Sequence, residues 1–534
     1  MSYVLTAEQM RAVDRAASES FGVPTLLLME NAGRGVAEVV RAAVGGRLAG
    51  LRICVVCGAG SNGGDGFVVA RHLALAGAEV QVVLAAARTK ITGDAALMLA
   101  ALEGMGGVPL ADGAAWDGAD ARRWGEALAG AQVVVDALFG TGLRADVTGA
   151  AAAAITAMNA APGIKIAVDL PSGIEADSGR VCGVAFRADV TATMGARKLG
   201  FTVDPEVAAG RVEVVSLGVP IRPPAALGPY CHFVDVGEVS QTLAGVPRRG
   251  PGGHKGTAGH LLVVAGSAGK TGAALLSARA AMRAGVGLCT IASTAAGHAA
   301  LDAKVVEVMT ARYSDGEDAD AGSAGRLSAL AGGMRALAIG PGIPTGPGMR
   351  SLIADLVGRS PLPMVIDADA LNLMATDVGP LLAPAPAARV LTPHPGEMAR
   401  LLGTTTAEVQ RTRVASARRL ATETRAVVVL KGARTLTALA DGTVYINPTA
   451  NPALGTAGAG DVLTGVIGAL LAQGLAAPEA ARLGVLVHGL AGERASAAVG
   501  GLGMVAGDLP DAIARVMGEG RSYARRSGSA APGG

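Results

Sequence analysis

Two acidic residues close two valine-rich runs in the first half of the chain: Asp136 in "QVVVDALFGTGLRAD" and Asp169 in "IKIAVDLPSG". A carboxylate beside a glycine turn, facing a cleft, can take and return a proton at carbon or oxygen. Upstream, "GAGSNGGDG" (58–66) places Gly58, Gly60 and Gly63 in the G-x-G-x-x-G spacing that lets backbone approach a phosphate, and it continues to Asp65. In the second half, "GTAGAGDVLTG" sets Gly458, Ala459, Gly460 and Asp461 at a predicted helix start. Free N–H groups and the helix dipole stabilise phosphate charge there, and the carboxylate can accept a hydroxyl proton during phosphoryl transfer.

Two simpler nucleotide readings fail. A Rossmann dehydrogenase needs an acid at the end of the next strand to hold a ribose, but that strand runs out as "VVLAAARTK". "GSAGKTGAA" would be a P-loop only with glycine at 264, where Val264 stands. Asp65 and Asp461 could also be plain helix caps. Cys54 and Cys57 form a C-x-x-C inside the strand "LRICVVCG", whose alternation sends the two side chains to opposite faces, against a joint redox or metal role.

Positioning these groups requires strands ending in loops. Short runs alternate with alanine-rich helical stretches up to about residue 220: "RICVVCG", "EVQVVLA", "QVVVDALFG", "IKIAVDLPSG", "DVTATMG" and "VEVVSLGVP". This pattern predicts a parallel, doubly wound sheet. Pro220, Pro223 and Pro224 then break regular structure, placing a boundary near 225. A second series follows: "HLLVVAGS", "GLCTIAS", "ALAIGPG", "PMVIDADALN", "RVLTPHPGE" and "AVVVLKG". The expected organisation is two tandem α/β domains, 1–225 and 226–518, followed by a disordered tail, 519–534, that lacks apolar periodicity.

The 534 residues exceed one ordinary core. With 46 basic and 44 acidic residues the net charge is only +2, which provides no extended basic surface for nucleic acid. Aromatics are 2% of the chain, so a nucleotide base must be held by aliphatic side chains and backbone. The N-terminus carries no secretory pattern and the most apolar C-terminal stretch is broken before it could span a bilayer, so a cytoplasmic protein without membrane association is expected. Five scattered cysteines fit reduced thiols.

"GAGSNGGDG", "DALFGTGLRAD" and "VDLPSG", in this order and spacing, resemble the NAD(P)H-hydrate epimerase family over residues 1–220. That resemblance implies a Rossmann-like domain in which Ser61, Asn62, Gly63, Gly64, Asp65, Gly140, Thr141, Gly142, Leu143, Arg144, Ala145 and Asp146 line the hydrated dinucleotide. It also implies that Asn62, Asp136 and Ser172 hold a potassium ion and that Asp169 binds substrate and moves the proton. Ser61 stands where family members often carry asparagine.

Further along, "HKGTAGHLLVVAGSAGKTGAA", "GPG" (340–342), "DADALN", "LTPHPGE", "KGARTL" and "NPALGTAGAGDVLTG" resemble ADP-dependent NAD(P)H-hydrate dehydratases of the ribokinase-like superfamily. Here the resemblance implies an α/β/α domain in which Lys431, Gly432, Ala433, Arg434, Thr435 and Gly460 contact ADP. Ala273, Gly342, His394 and Asp461 would contact the hydrated cofactor, with Asp461 catalytic and Mg2+ accompanying ADP. The partners implied are NADHX, NADPHX and ADP, and a homo-oligomer is expected. A second reading is an ATP-dependent vitamin or sugar kinase with a non-catalytic N-terminal nucleotide-binding domain; a third is a dinucleotide sensor. Intact Asp136, Asp169 and Ser172 weigh against an inert first domain, and two separate candidate acids weigh against a sensor.

Overall fold

The computed structural model describes residues 2–116, 121–244 and 255–528. They form two compact units, Ser2–Cys231 and His232 onward, so the division falls a few residues beyond the expected one. In the first unit the strands are β1 (Ser2–Leu5), β2 (Arg52–Cys57), β3 (Glu79–Leu84), β4 (Leu110–Asp112), β5 (Val133–Ala137), β6 (Ile164–Val168), β7 (Val190–Met194), β8 (Arg197–Lys198) and β9 (Arg211–Val215). Seven of these make a sheet in the order β4-β3-β2-β5-β6-β7-β9, parallel throughout. The winding reverses between β2 and β5, which opens a crevice at their carboxyl ends, the usual ligand position in such sheets.

Alternation along β2 explains the two-sided burial. Ile53, Val55 and Cys57 enter one core with Phe67 and Leu73, while Cys54 and Val56 enter another with Trp124, Ile155 and Met158. Cys54 and Cys57 are thus buried, free and on opposite faces, as the sequence predicts.

The second unit holds β10 (Cys231–Phe233), β11 (His260–Val264), β12 (Leu288–Thr294), β13 (Met309–Ser314), β14 (Ala336–Ile339), β15 (Met364–Ile366), β16 (Arg389–Leu391), β17 (Val427–Leu430), β18 (Leu436–Ala438) and β19 (Val444–Ile446). Strands β13-β12-β11-β14-β15-β16-β17 are parallel neighbours, and β18 and β19 continue the sheet antiparallel. Leu261, Val263, Ala338 and Val365 pack on one face against the helices Thr271–Arg283, Ala459–Ala472 and Ala477–Val499. The intervening Leu262, Leu337 and Ile366 are equally buried, so helices cover both faces in an α/β/α sandwich.

One expectation fails. The last helix runs Leu509–Gly528, through most of the segment expected to be a tail. Leu509, Ala512, Ile513, Val516 and Met517 anchor its apolar stripe in the core, and each further residue adds a helical hydrogen bond at little cost once the helix is nucleated. Arg494 holds Glu519 at 2.7 Å. Residues 529–534, and His254 at the head of its motif, lie outside the described residues.

Candidate active sites

At the first sheet's crevice the glycine loop feeds the helix Ser61–Leu75, whose N-cap is Gly60 with no side-chain cap. Its opening N–H groups therefore have no side chain bonded across them. A Cβ at Gly58 would lie 2.1 Å from the Leu138 carbonyl oxygen, and one at Gly63 would lie 2.0 Å from that of Gly58. These two glycines let the loop and the β5 turn touch. Asp65 sits in the second turn, buried, so it is not the helix cap that the sequence also allowed.

The turn after β5 carries Gly140, Thr141, Gly142, Leu143, Arg144, Ala145 and Asp146. A Cβ at Gly140 would be 3.6 Å from Asn62 Oδ1, which brings the two loops together. Two ion pairs tie the turn to the segment after β6: Arg144 with Glu175 at 3.3 Å and Arg180 with Asp146 at 3.2 Å.

Asp136, next to last in β5, is 0% exposed. Ser172 Oγ donates to Asp136 Oδ1 at 2.6 Å and Ser172 N–H to Oδ2 at 2.7 Å, while Leu138 N–H donates to Oδ1 at 3.2 Å. Burial pushes the Asp136 carboxyl up to about 6 despite these bonds. No lysine or arginine pairs with it among the described residues, and the Asn62 side-chain amide nitrogen is buried without a partner. A buried carboxylate lacking a counter-charge, beside a serine hydroxyl whose oxygen keeps a lone pair available, fits a hard cation that prefers oxygen ligands.

Asp169 follows β6 with φ +68, a left-handed conformation that aspartate tolerates better than most residues. Its Oδ1 accepts from Met194 N–H at 3.1 Å and pairs with the Lys198 ammonium. Lys198 is 0% exposed and also donates to Thr193 Oγ1 at 3.0 Å and Met194 O at 2.9 Å. The charge of Asp169 reaches Asp65, which burial and the neighbouring Asp169 and Asp14 hold well above the usual carboxylate range. Asp14, on the helix Ala7–Glu19, is pushed up to about 6 mainly by burial. The sequence reading missed Lys198 and Asp14. The available signal for Lys198 was a lysine just past the strand "DVTATMG", in a chain with only seven lysines.

In the second unit, the helix Ala459–Ala472 starts at Gly458, again without a side-chain cap, so Asp461 is not used as a cap. Burial and the charge of Asp367 raise the Asp461 carboxyl to about 6, against the pull of Lys431. A Cβ at Gly460 would lie 3.2 Å from Lys431 Nζ. Lys431 opens the turn Gly432, Ala433, Arg434, Thr435, in which Arg434 has φ +50 and Thr435 Oγ1 donates to Gly432 O at 2.9 Å. Ala273 and Gly342 adjoin, a Cβ at Gly342 falling 3.4 Å from that of Ala273. Ser277 Oγ links this pair to the acid, lying 3.0 Å from Ala273 O and 2.9 Å from Asp461 O.

His394 is the N-cap of the helix Pro395–Leu402, its Nδ1 accepting from Gly396 N–H at 3.0 Å. Its Nε2 lies 3.2 Å from Glu397, whose carboxylate lies 3.8 Å from Lys431. His488, held neutral with its pKa lowered to about 4 by burial, pairs through Nε2 with Ala459 O at 2.9 Å and braces the helix start. Asp367, Glu397, Thr464 and His488 were not singled out from sequence. No group of three or more His, Cys, Asp or Glu is placed to hold a metal among the described residues.

Two doubly wound α/β units, each with carboxylates and glycine turns at the carboxyl edge of its sheet, define a two-domain nucleotide-handling enzyme. The family model described as YjeF-related protein N-terminus matches residues 25–200, and the one described as NAD(P)H-hydrate dehydratase matches 261–515. The bifunctional NAD(P)H-hydrate repair enzyme of Moorella thermoacetica is 44% identical over 529 residues, covering 96% of each chain. That of Salinibacter ruber is 39% identical over 538 residues, covering 97% of each. A solved structure of the ADP/ATP-dependent NAD(P)H-hydrate dehydratase from Bacillus subtilis, co-crystallized with ATP/Mg2+, is 30% identical with a TM-score of 0.45 over 54% of this chain and 98% of that one. This chain belongs to the family of bifunctional NAD(P)H-hydrate repair enzymes.

Proposed function

We propose that the first unit interconverts the R and S epimers of hydrated NADH and NADPH, and that the second dehydrates the S epimer with ADP, giving AMP, phosphate and NAD(P)H. The observation that carries this reading is the presence of two complete acid sites, Asp169 with Lys198 and Asp461 with Lys431, each on its own sheet. In the first, Asp169 exchanges the proton at the hydrated carbon while the Ser61–Asp65 and Gly140–Asp146 loops hold the dinucleotide through backbone N–H groups. Asn62, Asp136 and Ser172 would hold potassium, which when bound neutralises the Asp136 charge and draws the two loops to one point.

In the second unit, hydroxide is a poor leaving group, so the ring hydroxyl is first phosphorylated. Asp461 takes the hydroxyl proton as the oxygen attacks the β-phosphorus and the bond to AMP breaks. The ring nitrogen lone pair then expels phosphate, and loss of the adjacent ring proton restores the double bond. Lys431 and the Gly458–Gly460 N–H groups face the phosphate charge, while Ala273, Gly342 and His394 border the hydrated ring. Magnesium would arrive on the ADP phosphates and screen their charge. The test is incubation of the protein with mixed hydrate epimers plus ADP or ATP, following recovery of NADH absorbance. Recovery of both epimers with ADP supports the proposal; phosphorylation of a vitamin or sugar without hydrate turnover supports the kinase reading instead.

A further inference from the structure

We propose that Asp367, together with Thr464, is the positioning residue for phosphoryl transfer in the second unit, fixing the Lys431 ammonium at the start of the helix Ala459–Ala472. The inference rests on the dehydratase reading above and adds to it the means by which the phosphate-facing cation is held in place. Asp367 follows β15 and is 1% exposed. One carboxylate oxygen accepts from Lys431 Nζ at 2.7 Å and the other from Thr464 Oγ1 at 2.7 Å. Both oxygens are thus committed to protein donors, one of them on the very helix whose N-terminus faces the phosphate.

The backbone at Asp367 is equally constrained. Its N–H donates to Ile339 O at 3.0 Å, and a Cβ at Gly340, where φ is +126, would lie 1.8 Å from its carbonyl oxygen. Ala368, next in the chain, has φ +50. Glycine at 340 is therefore what allows β14 and β15 to deliver this carboxylate to this spot.

A lysine ammonium is a compact charge on a four-carbon stem with several rotatable bonds. Unless a partner fixes it, part of the stabilisation it offers a transition state is spent on ordering the stem; preorganised charge avoids that cost. Burial by itself lowers the pKa of Lys431, but the charges of Asp367 and Glu397 overcome this and raise it. The groups facing it are the carboxylates of Asp367, Glu397 and Asp461, with His488 beyond on a fourth element.

The test compares Asp367→Asn, Thr464→Val and Thr464→Ser in the full chain, measuring ADP-dependent dehydration and, as a control, epimer exchange. By analogy with loss of a preorganised donor, Asp367→Asn lowers dehydratase kcat by about 100-fold. The KM for ADP changes far less, and the alkaline limb of the kcat profile moves to lower pH because Lys431 loses a carboxylate. Thr464→Val, nearly isosteric, lowers kcat by about tenfold, and Thr464→Ser, which keeps the hydroxyl, returns to within about twofold. Epimer exchange is unchanged in all three. The proposal is overturned if Thr464→Ser is no better than Thr464→Val, or if both Thr464→Val and Asp367→Asn keep wild-type kcat. It is also overturned if folded variants lose affinity for ADP with kcat intact. Should Asp367→Asn not fold, the Thr464 pair decides. Loss of epimer exchange, or absence of hydrate turnover in the wild type, would instead strike the functional reading on which the proposal rests.

Discussion

Replacing Asp169 by Asn probes chemistry and stability together. From sequence, a strand-end acid facing a cleft looks removable with little harm to the fold. The structure changes that expectation, because Asp169 is the ionic partner of a lysine at 0% exposure. Removing one member of a buried pair leaves an uncompensated charge and costs about 3–5 kcal/mol. Asp65 and Asp14 lie near enough for their carboxyls to be raised partly by the Asp169 charge. Once that charge is gone they ionise more readily and take over part of its role, which places the loss near the lower end, about 3 kcal/mol. For a unit of this size that is a drop of about 6–12 °C in melting temperature. Asparagine tolerates the left-handed backbone at this position, so the φ of +68 adds no penalty. In the coupled assay, the variant consumes the competent epimer of a mixed hydrate pool and stalls until wild-type protein or spontaneous epimerisation supplies more. The double variant Asp169→Asn, Lys198→Met regains most of the melting temperature and none of the epimerase activity. Scanning calorimetry beside progress curves would refute the reasoning if the single variant melted like wild type, or if its progress curve ran to completion at the wild-type rate while uncatalysed epimerisation was slow.

Asp461→Asn abolishes ADP-dependent recovery of NADH while epimer exchange persists; loss of both in a folded variant would contradict the division of labour. Asp461 must be ionised to act as base, and its carboxyl is raised to about 6, so dehydratase kcat/KM falls as pH drops below about 6, a limb that Asp461→Asn removes along with the activity. Asp136 is likewise raised, so its folded form favours the proton: its contribution to stability is fullest below pH 3.8 and is lost as pH rises through about 6. Potassium chloride, compared with tetramethylammonium chloride, therefore raises the melting temperature of the first unit at pH 7–8, and the effect fades below pH 6 and is absent in Asp136→Asn. ADP supports turnover better than ATP in steady-state assays; the reverse preference favours the kinase reading.

The sheet of each unit was legible because its central strands are apolar, buried on both faces and spaced by helix-length alanine-rich stretches, a pattern that parallel winding demands. What the pattern could not show is instructive. β18 and β19 follow β17 antiparallel with no helix-length stretch between them, so a pattern of strands alternating with helices passes over them. The helix through 519–528 continues a core-anchored stripe into polar sequence, and composition alone cannot see such momentum. At the sites, residues within glycine motifs were readable because the glycines mark turns. Lys198, Asp14, Asp367 and Thr464 act across distances in sequence, and nothing local distinguishes Thr464 from any other helical threonine. Only the meeting of β15 with the later helix gives it a partner.

All but seven of the 46 basic residues are arginine, and of those seven lysines, Lys198 sits sealed in the first unit beside Asp169 while Lys431 lies 19% exposed in the second beside Asp367. A guanidinium is broader than an ammonium and carries its donors in a rigid fork, so it does not substitute at Lys198, where no solvent-facing space remains. The sealed amine thereby becomes a built-in reporter. A brief pulse of amine-acylating reagent, followed by peptide mass mapping, would mark the exposed Lys90 and Lys270 at once, whereas Lys198 would take label only when its unit opens. Lys431, partly exposed and ion-paired with Asp367, would take label at a rate between these, so the opening of the first unit can be timed within the intact chain.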